Sequence, residues 1–177
     1  MREYDLKKLI DNPEIVSGKI AEFFDKNILF KQDVDKEEIK GHIMKAENNL
    51  RFVAEITKKR FFDWALNGCY YTCYHAALAL IQTKGYTSKS HLATLCVIIH
   101  EFYKKELTKE DVETLYNFLG YEDILFYVEA KNKRENATYS TKLLFEGKDI
   151  EKLRIKAILF VNKIKNILIE NKFSLKT

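Results

Sequence analysis

From Lys36 onward the residues Ile39, Ile43, Ala46, Leu50, Val53 and Thr57 recur at alternating intervals of four and three. An α-helix, at 3.6 residues per turn, gathers such positions into one stripe, and that stripe must face a core. Phe62, Ala65, Cys69, Cys73, Ala76 and Leu80 repeat the rhythm, and the second run ends at Lys84-Gly85. A glycine there can take the left-handed conformation that closes a helix. Only one proline, Pro13, and six glycines interrupt 177 residues, so long helices are favoured over sheets. The spacing predicts an all-α fold, an antiparallel helical bundle.

The remaining segments fit that frame. Residues 1–35 carry Leu6, Leu9 and Ile10, a break at Asn12-Pro13, then Ile15, Ile20, Phe23 and Phe24, and close on Asp33-Val34-Asp35. They read as an N-terminal extension of one or two short helices, with the bundle over residues 36–177. Ser88 or Ser90 can cap a helix bearing Leu92, Leu95, Ile99 and Phe102. Thr108 and Asp111 form a capping box with Asp in place of Glu, opening a short helix through Leu119 that stops at Gly120. A further helix is predicted to start near Tyr121-Glu122 and to carry Ile124, Tyr127 and Val128 toward Lys131, Lys133 and Arg134. After a loop containing Gly147, Asp149 is the predicted cap of a last helix with Ile150, Leu153, Ala157, Val161, Ile164 and Leu168 on its inner face.

Charge excludes little. A formal net charge of +4 arises from 30 basic and 26 acidic residues interspersed along the chain, which is not the signature of a polycationic tail. Cys69, Cys73 and Cys96 are odd in number and sit in apolar helical context without a secretory segment before them. A reducing, cytoplasmic setting is therefore expected, with the thiols packing as small hydrophobes. Trp64 to Thr83 is free of formal charge for twenty positions, long enough to span a bilayer. Asn67, Gly68, Thr72, His75, Gln82 and Thr83 make the run too polar for lipid, so no membrane association is expected, and a central bundle helix needs just such an uncharged surface.

There is no glycine-rich phosphate loop, His-Glu-x-x-His, paired Cys-x-x-Cys or nucleophile elbow. Cys69 and His75, six apart on a helix, point different ways, so no metal is expected, and no cofactor either. The helix Tyr70-Tyr71-Thr72-Cys73-Tyr74-His75 stands out for its polar handles. Tyr70, Tyr71 and Tyr74 are either amphipathic core residues with bonded hydroxyls or a stacking surface for nucleotides. His75 among apolar neighbours reads as a bonded core residue or as a ligand contact. His91 lies near a helix start, where backbone N–H groups favour an anion. Lys131, Lys133 and Arg134 are either a solvated helix end or a phosphate site.

Tyr70-Tyr71-x-x-Tyr74-His75-Ala76-Ala77-x-Ala79-Leu80, then Lys84-Gly85, Ser88-Lys89-Ser90-His91, and Arg134-Glu135-x-Ala137-x-Tyr139, taken in that order, resemble the HEPN (higher eukaryotes and prokaryotes nucleotide-binding) family over about residues 36 to 170. The resemblance is to its small single-domain prokaryotic branch. It implies a four-helix core, here with short N-terminal helices added, that forms a homodimer. It also implies a minimal nucleotidyltransferase protein as partner in a toxin and antitoxin pair, with RNA or nucleotide as ligand. Many relatives are metal-independent endoribonucleases that use an Arg, a polar residue after it, and a His four to six residues on. Carried over, Arg134 matches the Arg, Glu135 the polar residue, and Tyr139 stands at the His position, so the motif is degenerate. Lys131, Lys133, His91, Tyr70, Tyr71, Tyr74 and His75 complete the candidate nucleotide or RNA contacts. A phenol with an ordinary pKa of about 10 is a poor base at neutral pH. Tyr139 can instead hold a phosphate as a donor or act as a nucleophile toward a transferred nucleotide. The other class of function is a non-catalytic module that docks a protein on its tyrosine face.

Overall fold

The computed structural model describes residues 6–120 and 146–173. Over these residues the protein is all-α, as the periodicity predicts, apart from one small two-stranded ribbon. Helix α1 (Leu6–Asp11) is parted from α2 (Pro13–Asp25) at Asn12, whose side chain donates to the Lys8 carbonyl at 2.8 Å. Pro13 begins α2, where a missing N–H costs nothing. Leu6, Leu9, Ile10, Val16, Ile20 and Phe23 are buried, and α2 lies against α5 (His91–Phe102).

Helix α3 (Lys36–Lys58) starts where the Asp35 carboxylate accepts from the backbone N–H groups of Glu37 and Glu38, at 2.8 and 3.2 Å. Its partner α4 (Phe62–Gln82) runs antiparallel to it. Gly68 allows their close approach, since a Cβ there would stand 2.4 Å from Val53 Cγ2. Fourteen of the 21 residues of α4 are buried, which is why the helix carries no charge after its first turn. Among the described residues no helix is long and apolar enough to cross a membrane.

Ser90 caps α5 as expected, accepting from Ala93 N–H. Thr108 and Asp111 bond reciprocally at the start of α6, which occupies 109–120. The last helix, α7 (Gly147–Glu170), begins earlier than its sequence suggests. Gly147 is its first residue rather than part of a loop, Glu146 holds the cap position without a side-chain bond, and Asp149 lies inside the first turn. Gly147 lets this end of α7 approach the start of α4 closely, since a Cβ there would come within 3.1 Å of the Phe62 ring. Toward its other end Lys165 reaches Glu47 at 2.5 Å, so α7 runs antiparallel to α3.

The ribbon is the element that the periodicity misses. Strands β1 (Leu29–Lys31) and β2 (Tyr86–Ser88) pair antiparallel, with Phe30 opposite Thr87. Three residues are too few to show the alternation that marks a strand. Contacts remote in sequence hold it: Lys31 donates to the Lys84 carbonyl at 2.7 Å and lies 3.4 Å over the Tyr86 ring. Gly85, at φ 72°, turns the chain into β2.

Candidate functional site

Three of the predicted residues, Tyr70, Tyr74 and His91, meet between α4 and α5. Tyr70 Oη and His91 Nε2 share a hydrogen bond of 2.6 Å. The Tyr74 and His91 rings meet edge to face, centres 4.5 Å apart. Tyr70 is buried, while Tyr74 and His91 are half-buried. His91 is the first residue of α5, the position its sequence context predicts.

The cluster continues along α4 onto α3. Tyr71, 47% exposed, stands 4.6 Å from Tyr70 and 6.5 Å from His75 by ring centres, nearly parallel to the latter. His75 Nδ1 then bonds His42 Nδ1 at 3.0 Å. Six aromatic groups drawn from three helices thus form one continuous series, and five of them are predicted site residues. His42 is the one that sequence reasoning missed. Its signal was present, for it follows Ile39 by three and precedes Ala46 by four, on the inward edge of the α3 stripe.

Burial is the first cause that pushes the His75 imidazole down to about 4, and His42 and Lys45 add to it. Burial also lowers His42, Lys45 acting in the same direction and Glu38 against it. Both rings are therefore neutral near pH 7, one Nδ1 donating and the other accepting. The pair offers flat, uncharged faces and hydrogen-bonding edges. Its low basicity makes His75 a weak proton acceptor at neutral pH.

The cysteines behave as packing groups. Cys69, Cys73 and Cys96 are free and buried. Burial pushes the Cys69 and Cys96 thiols up to about 12, and Cys73 well above its ordinary range. Among the described residues no three His, Cys, Asp or Glu side chains are grouped to hold a metal ion. Arg134, Glu135, Tyr139, Lys131 and Lys133, together with the helix predicted from Tyr121, lie outside the described residues.

No family model matches the chain. In Methanocaldococcus jannaschii, the protein named "Putative toxin MJ0142" is 32% identical to it over 135 residues, which cover 76% of this chain and 84% of that protein. Identity at that level over most of both lengths reflects common descent, and the chain belongs to the same family as Putative toxin MJ0142.

Proposed function

We propose that the protein is the toxin member of a toxin and antitoxin pair, a HEPN-type helical bundle that binds RNA or nucleotide in the cytoplasm. Its antitoxin is a minimal nucleotidyltransferase, and two copies of the chain associate so that Arg134, Glu135 and Tyr139 of each contribute to one site. The observation that carries this reading is the ring series of Tyr70, Tyr74, His91, Tyr71, His75 and His42, with the relative's name beside it. Tyr71 is exposed and Tyr74, His75, His42 and His91 are half-buried, so these rings offer faces or edges to a base while Tyr70 is buried behind them. Stacking on such faces tolerates any base. Arg134 supplies the cation that a phosphate or a developing phosphorane needs.

Tyr139 at the His position limits cleavage, so the proposal is centred on binding, with metal-independent RNA cutting as its extension. Induced expression should arrest growth, and co-expression of a minimal nucleotidyltransferase encoded beside it should relieve it. Purified protein should bind RNA, and Arg134→Ala should abolish both binding near that site and any cutting in the presence of a chelator. Growth unaffected by expression, with no RNA retained at high protein concentration, would leave the reading without support.

A second reading draws on a different observation. Tyr71, Phe52 and Trp64 are exposed at 47%, 46% and 63%, a face of the kind that anchors protein partners. In that case the bundle is a non-catalytic docking module, and RNA neither binds nor is cut.

A further inference from the structure

The α3–α4 corner carries a run of cations and exposed rings that the Tyr/His cluster does not include. Lys58, Lys59 and Arg60 close α3 and begin the turn, all exposed, and Phe61 and Trp64 follow at 56% and 63% exposure. Apolar rings this large are normally covered, so their concentration at one corner calls for a ligand.

Geometry joins this corner to the cluster. Trp64, Gly68 and Tyr71 fall at i, i+4 and i+7 of α4, on one face. Phe52 of α3 lies over the middle of that face: a Cβ built on Gly68 would meet Phe52 Cδ1 at 3.4 Å and Cε1 at 3.8 Å. Phe52 thus packs beside Gly68, which lies between Trp64 and Tyr71 along α4. Beyond Tyr71 the series passes to His75 and then His42. The result is a narrow track along the α3–α4 seam. From Trp64 to His75 it rises through eleven helical steps, about 16 Å. That length holds roughly three to five nucleotides between stacked and extended spacing.

Cations outnumber carboxylates at this corner, with Lys58, Lys59 and Arg60 against Glu55 and Asp63. Lys58 is paired with Glu55 at 2.7 Å and Lys59 also acts on that carboxylate, while Arg60 makes no ion pair among the described residues. Lys45 is exposed one turn from His42. Rings in a line with cations at one end and along one edge match a flexible polyanion with flat bases. They match a folded protein partner less well, because a protein covers a broad patch with an apolar centre. We propose that the seam formed by Phe61, Trp64, Phe52 and Tyr71 binds single-stranded nucleic acid, the phosphates held by Lys59 and Arg60, and leads the strand to the Tyr/His cluster. The inference rests on the nucleic-acid reading above, shares Tyr71 with it, and extends it to Phe52, Phe61 and Trp64.

Trp64 is the only tryptophan in the chain, so its fluorescence reports this site alone. Full-length protein is titrated with eight-nucleotide ribo- and deoxyribo-oligomers at low salt, following both tryptophan emission and the anisotropy of labelled oligomer. Binding is expected to quench Trp64, with either sugar supporting the proposal and the difference between them reporting its preference. Trp64→Ala is expected to weaken binding about tenfold. Lys59→Gln with Arg60→Gln should lower the slope of log affinity against log salt by about 1.4, from two lost phosphate contacts. Leu159→Ser, at an exposed position on α7, should leave binding unchanged. Oligomer binding that neither quenches Trp64 nor weakens in Trp64→Ala overturns this track while the Arg134-centred reading stands. Absence of any binding overturns both. Emission that shifts to the blue only with anionic phospholipid vesicles, and not with oligomers, overturns the proposal in favour of a membrane surface.

Discussion

Tyr70 Oη on α4 lies 2.6 Å from Nε2 of His91, the first residue of α5, and this bond ties the middle of the central helix to the start of its neighbour. Tyr70→Phe keeps the ring and removes the hydroxyl that bonds the half-buried imidazole. The expected cost is about 1 kcal/mol in a urea unfolding series. His91→Phe in the Tyr70→Phe background should cost less than the sum of the two single changes, since both partners of the bond are then gone.

Gly68→Ala sets helix propensity against packing. Alanine favours a helix over glycine by about 1 kcal/mol. Here the new methyl would stand 2.4 Å from Cγ2 of Val53, a stiff β-branched side chain with no exposed surface. Overpacking of this kind costs about 1–3 kcal/mol, so the variant is expected to be less stable despite its better helix former. The midpoint of thermal unfolding measures it.

Acid should weaken the α3–α4 seam. In the folded chain His75 titrates at about 4 instead of 6.5, and His42 is lowered too, with Lys45 and Glu38 the charged groups acting on the pair. Above pH 7 neither state holds the proton. Between pH 6.5 and 4 the unfolded chain takes up protons that the fold excludes, so stability falls as pH falls. Because both rings are partly solvated, the loss is on the order of 1 kcal/mol. Urea series at pH 7.5 and pH 5 should show it in the native protein and a smaller change in His75→Phe.

The thiols are expected to be silent. Cys69, Cys73 and Cys96 are buried, and burial raises all three, so almost no thiolate exists at pH 8. A thiol-specific chromogenic reagent should react with three groups in denaturant and with none in the native protein within minutes.

The helices were legible because their signals are local. Ile39 to Thr57 and Phe62 to Leu80 show the core stripe directly, and Ser90 and the Thr108/Asp111 pair mark real helix starts. Gly147 misled because its role depends on Phe62, far away in sequence. The β1–β2 pairing was invisible for the same reason, with residues 32–85 separating its strands. In the candidate site, Tyr70, Tyr74, His75 and His91 stood out as polar groups on an apolar helix or at a cap. His42 did not, since only its partner on α4 gives it meaning. The basic and aromatic corner at Lys58 to Trp64 likewise looks ordinary until the exposure of Phe61 and Trp64 is known.

The antiparallel ribbon has a mechanical consequence. All of α3 and α4 lie between Leu29–Lys31 and Tyr86–Ser88 in the chain, so the pairing acts as a clasp on both ends of the helical hairpin that bears the aromatic seam. Shortening the protein to begin at Lys36 would remove one jaw of that clasp and strip α2 from α5. Activity lost on such trimming would then report a loosened frame and say nothing of whether the leading residues touch a ligand.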